Sequence, residues 1–205
     1  QVISQLPDDA TAKIAKQELE NNWRGKNVEL KIASDDKIQV ISDGYDLITI
    51  DASDLSLVES EKETTTALIK GVAAGLKEHG HAVGGFKAYI TSDVLIGAGL
   101  SSSAAFETII GTILSGLYNN GSVSAIEIAI TGQYAENVYF GKPCGLMDQM
   151  ASSVGNLVHI DFADPADPIV EKIDFDMAKS GYSLCITDTK GSHVDLTADY
   201  AAVPA

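Results

Sequence analysis

The feature that most constrains the fold is a glycine- and serine-rich run in mid-chain, Gly97-Ala98-Gly99-Leu100-Ser101-Ser102-Ser103-Ala104-Ala105. An alternating segment over 85–94 precedes the run, and a long apolar segment over 106–118 follows it. This order predicts a loop that joins a strand to the start of a buried helix. Glycines let a ligand approach the backbone closely, and free N–H groups at a helix start attract negative charge, so such a junction suits a phosphate.

Local composition leaves a second interpretation of this loop open. Glycine and serine also form plain turns and helix caps. The run matches neither the P-loop consensus, which ends in Gly-Lys-Ser/Thr, nor the dinucleotide fingerprint, which needs a third glycine. A nucleotide-binding function therefore needs support from another part of the chain.

Composition places the chain among ordinary globular proteins and narrows its partners. Its 205 residues are 45% hydrophobic and 21% charged, which suffices for one large core or two small domains. The net charge of −15 argues against nucleic acid or an anionic membrane as the main partner. Two cysteines, no apolar run near the ~18 residues of a membrane span and no signal-peptide pattern favour a reducing, cytoplasmic setting. A start at Gln1 and an end at Ala205 indicate a fragment.

Apolar periodicity predicts interspersed helices and strands. Helices are expected over 8–20, from 60 to about 80, after the loop to 118, and from 124 to 140, and a short helical turn within 144–155. Strands are expected over 28–32 and 38–40, paired as a hairpin, and over 47–50, 86–90, 157–162, 169–175 and 182–187. Because the order lacks a regular βαβ period, an α+β fold is favoured over a doubly wound sheet.

If the loop binds phosphate for phosphoryl transfer, the site also needs an acid or base and a metal ligand. Two carboxylates are candidates for these roles. Asp148 lies in an apolar, glycine-bounded turn, where it suits either a proton acceptor with a raised pKa or a helix cap. Glu136 suits a Mg²⁺ ligand, but a solvated helix face explains its local pattern better. Cys144 is expected to be a buried structural thiol, and the four histidines lack zinc-site spacing.

Together, two stretches resemble the galactokinases of the GHMP family of small-molecule kinases. The run from Gly97 to Ala105 is similar to that family's phosphate loop, and Gly141-Lys142-Pro143-Cys144-Gly145-Leu146-Met147-Asp148-Gln149 is similar to the segment that holds the catalytic aspartate. A third stretch, Asp188-Thr189 to His193 followed by Asp199-Tyr200, resembles a galactokinase segment that borders the sugar. Two long motifs at a compatible separation are far more specific than either alone.

The resemblance implies a fold, a reaction and residue roles. The fold is a GHMP-kinase N-terminal domain, like ribosomal protein S5 domain 2, with a mixed sheet packed against helices and the start of a C-terminal half at about 182–205. ATP phosphorylates galactose at the C1 hydroxyl, and Asp148 accepts the hydroxyl proton. ATP is bound by the run of Gly97, Gly99, Leu100, Ser101, Ser102 and Ser103. Ser103 and Glu136 hold Mg²⁺, and Gly145, Asp148 and Tyr200 contact the sugar.

Departures from the family pattern limit this expectation. Leu95-Ile96 stands where the family's loop usually begins with proline. The family's Gly-Arg-x-x-x-x-Gly-x-His-x-Asp stretch is missing, apart from Arg24-Gly25, and the gap would fall near residues 23–27. We therefore expect this chain to be inactive, or nearly so, by itself. A kinase for another hexose or an N-acetylhexosamine, and a non-catalytic galactose and ATP sensor, are the alternatives, and the oligomeric state stays open.

Overall fold

The computed structural model describes residues 28–32, 36–42, 44–92, 99–164 and 167–187, with residues 28–32 described as backbone only. The helix expected over 8–20 lies outside these residues. So do Gly97, Tyr200 and most of the segment expected to begin a C-terminal half. The described elements alternate between strands and helices without a regular βαβ repeat, which confirms the α+β class.

A four-stranded mixed sheet is built from β1 (Val28–Ile32), β2 (Lys37–Ser42), β3 (Ile48–Asp51) and β4 (Phe86–Ile90). The strands lie in the order β1-β4-β2-β3, with β4 antiparallel to β1 and parallel to β2. The expected hairpin between the first two strands is therefore wrong, since β4 lies between them. Alternation identifies the buried face of a strand but not its neighbour in the sheet. The third strand is confirmed and pairs antiparallel with β2.

Strand β4 delivers the chain to the glycine- and serine-rich loop. Its residues alternate as expected, with Phe86, Ala88 and Ile90 buried and Lys87 and Tyr89 exposed. The buried face shares one core with side chains from β2 and β3. β4 is one of the two interior strands of the sheet, paired with β1 on one side and β2 on the other, so the chain leaves for the loop from the middle of the sheet.

Within the described ranges, four α-helices accompany the sheet: α1 (Thr65–Glu78), α2 (Ser102–Tyr118), α3 (Ala125–Tyr134) and α4 (Met147–Val154). Helix α2 is buried on nearly every side, as its apolar run predicts, and it follows directly from the loop. The same core takes in fully buried residues of α1 and α2, namely Ile69, Val72, Leu76, Ile109, Ile110, Ile113 and Leu114. No helix in the described part of the chain is long and apolar enough to cross a membrane.

The helix starts show where local sequence signals succeed and where they fail. Helix α1 begins five residues later than expected, because Glu59–Glu61 form a short 3₁₀ turn and Glu63 has a left-handed φ of 60°. Its cap is Thr64, whose hydroxyl accepts a hydrogen bond from the Ala67 N–H at 3.3 Å. Helix α3 begins as expected, since the Ser124 hydroxyl accepts from the Glu127 N–H at 3.1 Å.

A second, two-stranded sheet shares a smaller apolar cluster with helices α3 and α4. Strands β5 (Leu157–Asp161) and β6 (Ile169–Ile173) pair antiparallel, and their half-buried side chains pack with Met150 and Val154 of α4. The strand expected over 182–187 does not form, although the segment alternates. Its apolar side chains are exposed and no strand of the described part pairs with it, and a strand needs such pairing.

Candidate functional site

The described part of the loop forms an uncapped start to α2. Gly99 has a φ of 71°, and Ser101 lies in the left-handed region with φ 54° and ψ 47°. The Ser101 carbonyl accepts the Ala105 N–H at 3.0 Å, but the Ser101 side chain makes no capping hydrogen bond. Gly99 and Leu100 are exposed, and Ser101, Ser102 and Ser103 are half-buried. A helix start of this kind presents N–H groups and a positive dipole end to an anion.

Glu136 lies at the centre of the site, joined to the loop helix. Its carboxylate is buried, so the solvated helix face that its local pattern suggested is wrong. The Ser103 hydroxyl donates to Oε1 of Glu136 at 3.4 Å, and Lys142 Nζ lies 3.7 Å from the same oxygen. Ser103 and Glu136, both expected to be metal ligands, are therefore brought together.

A local change of helical type ends α3 and carries Glu136. Residues Ala135–Phe140 form a π-helical turn, and the backbone carbonyl of Glu136 accepts the N–H groups of Gly141 and Lys142, both at 3.0 Å. Gly141 ends the turn with a φ of 86°. Such turns hold one residue more than a regular helix and occur frequently at functional sites. No pattern in the sequence marks this change of helical type. The burial of Glu136 comes from Ser103 of α2 and Gln149 of α4, which contact its carboxylate, and a local pattern does not indicate such contacts.

The stretch that resembles the aspartate segment forms a loop and helix α4. Asp148 lies in the first turn of α4 and is exposed, which contradicts the apolar surroundings expected for it. Gly145 is exposed too, and a Cβ built on it would meet no atom within 4 Å. The helical position separates Asp148 from Gln149, which points inward and is 1% exposed.

Gln149 links two carboxylates from different elements. Its Nε2 donates to Oε2 of Glu136 at 2.9 Å and to Oε2 of Glu107 at 3.1 Å. Gln149, which directly follows Asp148 in the chain, thus binds the same carboxylate that Ser103 contacts. Gln149 belongs to the resembling stretch, but sequence reasoning gave it no role. Its inward position follows the helical spacing of Leu146, Met150 and Ser153, which are also buried.

Glu107 was missed entirely by sequence reasoning. It is fully buried in α2, one turn after Ser103, and its Oε1 is among the buried side-chain atoms that have no hydrogen-bond partner. Burial, together with the charge of Glu136, raises the pKa of Glu107 to about 8. The sequence did contain a signal, because Glu107 is the only charged residue between Ala104 and Leu117 in an apolar helix.

Cys144 holds the loop before α4 through its backbone. Its N–H donates to Oδ1 of Asn137 at 2.7 Å, and its carbonyl accepts from Nε2 of Gln133 at 3.2 Å. Burial, and secondarily Glu136, raises the pKa of the Cys144 thiol. The raised pKa fits a structural thiol rather than a nucleophile, which needs its thiolate.

The donor set of the site fits one class of cation. A serine hydroxyl and a carboxylate are hard oxygen ligands, and Mg²⁺ typically takes one or two such groups beside water and phosphate oxygens. Within the described ranges, no group of three or more His, Cys, Asp or Glu side chains is arranged to hold a metal. The pair Ser103 and Glu136 therefore suits Mg²⁺ that arrives with a phosphate.

Comparison with known proteins identifies the domain. Residues 67–156 match the GHMP kinases N terminal domain. Over 144 residues, the chain is 38% identical to a galactokinase of Streptomyces coelicolor and 37% identical to a galactokinase of Streptomyces lividans. These alignments cover 70% of this chain but only 37% and 36% of the two relatives. The chain therefore spans little more than a third of the length of the curated relatives it matches.

Solved structures show the same fold. A galactokinase of Lactococcus lactis, crystallised with galactose, aligns with a TM-score of 0.63 and 25% identity, over 75% of this chain and 40% of that protein. The mevalonate kinase of Methanococcus jannaschii aligns with a TM-score of 0.60 over 87% of this chain and 56% of that protein, at 17% identity, and so supports the fold alone. Residues 67–156 therefore carry the N-terminal domain of the GHMP kinases, and over 144 residues the sequence is similar to the galactokinases.

Proposed function

We propose that this domain serves a kinase that transfers the γ-phosphate of ATP to the C1 hydroxyl of galactose, giving galactose 1-phosphate and ADP. The observation that carries the proposal is the connection from Ser103 through Glu136 to Gln149, with contacts of 3.4 and 2.9 Å. It joins a loop suited to phosphate with a helix that bears an exposed carboxylate. The similarity to galactokinases supports galactose as the substrate.

The loop supplies the ATP end of the site. The first N–H groups of α2 and the positive end of its dipole attract the phosphates, with the described residues from Gly99 to Ser103 and, by its motif, Gly97 around them. A chain with a net charge of −15 repels anions over most of its surface, so this local attraction has to hold the nucleotide.

The start of α4 supplies the sugar end. As the C1 oxygen of galactose bonds to the γ-phosphorus, the bond from that phosphorus to the β,γ-bridging oxygen breaks and ADP departs with the electron pair. The carboxylate of Asp148 accepts the C1 hydroxyl proton, a role for which its exposed position is accessible. Gly145, with open space beside it, and Tyr200 contact the sugar.

Ser103 and Glu136 would hold Mg²⁺ between loop and helix. When bound, the ion neutralises charge on the phosphate oxygens. The carboxylate of Glu136 is held for this purpose by Gln149 at one oxygen and approached by Lys142 at the other.

The 205 residues by themselves are proposed to be inactive or nearly so. They match about 37% of the length of the relatives, and the arginine stretch expected in galactokinases is missing from the sequence. Loss of an arginine that neutralises developing charge reduces phosphoryl transfer by roughly a thousandfold. Residues 182–205 are proposed to begin the second half of the kinase, and the cytoplasm is its proposed location.

The test is an ATP-dependent sugar phosphorylation assay on the full-length polypeptide that contains these residues. Galactose, glucose and N-acetylgalactosamine are compared as substrates, and Asp148→Ala is assayed beside Asp174→Ala, a change at an exposed carboxylate after β6. We expect galactose 1-phosphate as the main product and a loss of turnover of roughly a hundredfold or more in Asp148→Ala alone. Turnover of another sugar only, or of none, contradicts the proposal, and unchanged turnover in Asp148→Ala removes that residue as the base.

A further inference from the structure

We propose that Gln149 is a positioning residue: its side-chain amide joins Glu107 to Glu136 and so fixes helix α4, and with it Asp148, relative to the loop helix α2. The inference rests on the proposed function only for the role of Asp148 as the proton acceptor. The hydrogen bonds that support it join three separate elements, namely α2, the π-helical turn and α4.

The first argument is that a single nitrogen, Nε2 of Gln149, makes hydrogen bonds to two acidic side chains. Gln149 Nε2 carries two hydrogens, and carboxylate oxygens of Glu136 and Glu107 lie at 2.9 and 3.1 Å from it. The side chain is 1% exposed, so water does not compete for these hydrogen bonds. Hydrogen bonds to carboxylates in such a low-dielectric setting are strong and directional. The amide therefore ties α4 to both partners at once.

The second argument is that α4 needs such a tie. The helix has eight residues, and its start at Leu146 has no side-chain cap. Helices of this length are not stable by themselves, so tertiary contacts decide their placement. Consecutive residues on a helix are about 100° apart, and a fixed inward direction for Gln149 therefore fixes the outward direction of Asp148.

The third argument is the tight space around the amide. A Cβ built on Gly132 of α3 would lie 3.2 Å from Cγ of Gln149 and also 3.2 Å from Oε2 of Glu107. The missing side chain at Gly132 leaves room for both groups and for little else. On the side of α3, therefore, the side chains of Gln149 and Glu107 are closely packed.

The fourth argument separates positioning from plain stabilisation. Among the described residues, Oε1 of Gln149 and Oε1 of Glu107 are buried without hydrogen-bond partners. Buried polar groups without partners destabilise a fold, and apolar side chains of the same shape would avoid that effect. The hydrogen bonds of Gln149 to the two acidic side chains are therefore better explained by the geometry that they fix than by the stability of the core.

The experiment uses the full-length polypeptide that contains these residues and compares Gln149→Met, Glu107→Gln and Gln39→Met. Methionine keeps the length of glutamine but cannot donate. Glu107→Gln keeps the shape of the side chain and one oxygen that can accept a hydrogen bond from Gln149. Gln39→Met makes the same chemical change on β2, where the amide donates a hydrogen bond to the Thr49 hydroxyl at 3.4 Å. The readouts are kcat, the KM values for ATP and galactose, the thermal midpoint, and amide hydrogen exchange of residues 147–154.

We expect Gln149→Met to lower kcat about 10- to 100-fold while both KM values change less than about threefold, because misplacement of reacting groups acts on the transition state. Hydrogen exchange in 147–154 becomes about tenfold faster, and exchange in β4 stays the same. Glu107→Gln, which keeps one acceptor for Gln149, loses less kcat than Gln149→Met does, and Gln39→Met matches the parent in every readout.

Unchanged kcat and unchanged exchange in Gln149→Met overturn the inference. If Gln149→Met does not fold, the double variant Glu107→Leu/Gln149→Met, which removes both polar partners, replaces it. A double variant that folds but shows the same loss of kcat supports positioning, and one that is fully active or unfolded contradicts it. If the parent protein phosphorylates no galactose, the proposed function fails, and the exchange of residues 147–154 still decides the inference.

Discussion

Nε2 of Gln149 lies 2.9 Å from Oε2 of Glu136, although the two residues are 13 positions apart and belong to separate helical segments. The other oxygen of the same carboxylate accepts the hydroxyl of Ser103. Each oxygen of Glu136 therefore serves a different motif, one from the phosphate loop and one from the aspartate stretch. The two motifs that make the family resemblance specific meet at a residue that neither contains.

The buried carboxyl of Glu107 predicts a pH-dependent stability. Its pKa of about 8, against an ordinary value of 4.5, means that the folded protein keeps a proton which the unfolded chain loses above pH 4.5. Stability from this group therefore falls as the pH rises from about 4.5 to 8, and then levels off. Glu136 and Lys142 are the charged groups that act on it, with opposite signs.

Glu107→Gln, which is neutral at every pH, is expected to remove this slope. Chemical denaturation at pH 5, 7 and 8 should show the variant more stable by ~1–3 kcal/mol at pH 8, with a smaller difference at pH 5. Glu59→Gln, a change at a well exposed carboxylate, is the control and should follow the parent. A parent and a Glu107→Gln variant with parallel pH profiles would show that the carboxyl titrates normally.

Gly71→Ala tests the packing of α1 against the π-helical turn. In a helix, alanine normally stabilises by about 1 kcal/mol relative to glycine. Here the added Cβ would lie 2.7 Å from the backbone Cα of Ala135, so one of the two segments has to move. We expect the opposite sign, a loss of ~1–3 kcal/mol in the free energy of unfolding by urea titration. The control is Gly145→Ala, where the Cβ meets open space, and equal midpoints for the two variants would contradict the packing argument.

The two cysteines are expected to differ in reactivity. Burial raises the pKa of the Cys144 thiol and the residue is half-buried, whereas Cys185 is exposed. Because the thiolate is the reacting form, iodoacetamide at pH 8 should alkylate Cys185 at least about tenfold faster than Cys144. Peptide mass spectrometry over time measures both rates in one sample. The difference should vanish in urea, and a faster reaction at Cys144 in the native protein would show that its thiolate is stabilised after all.

Local patterns predicted the parts of the molecule that depend on neighbours in sequence. The alternation in β4, the apolar circumference of α2 and the cap at Ser124 all follow from side chains a few residues apart, and each is confirmed. The strand order is different, because the insertion of β4 between β1 and β2 depends on contacts between segments more than 40 residues apart.

The prediction of the site shows the same division between features set by neighbours in sequence and features set by distant contacts. The sequence pointed to Ser103, Glu136 and Asp148 through resemblance, and the structure brings the first two within 3.4 Å. It did not indicate that Glu136 is buried or that Asp148 is exposed, because both depend on how α2 and α4 pack around the Glu136 carboxylate, and those contacts join separate elements. Glu107 was predictable in principle, since a lone charge in an apolar helix has to be buried with a partner.

The wide turn over Ala135–Phe140 sets a limit on how this region can vary between relatives. Glu136 is the second residue of the turn, so its direction is set by α3 before it, whereas the loop at Cys144 follows the turn. A change in the number of residues within the turn therefore acts on Gly141 and Lys142, whose N–H groups both bond to the Glu136 carbonyl, and on the loop after them. We expect length differences between relatives here to move the loop at Cys144 and to leave the carboxylate of Glu136 in place.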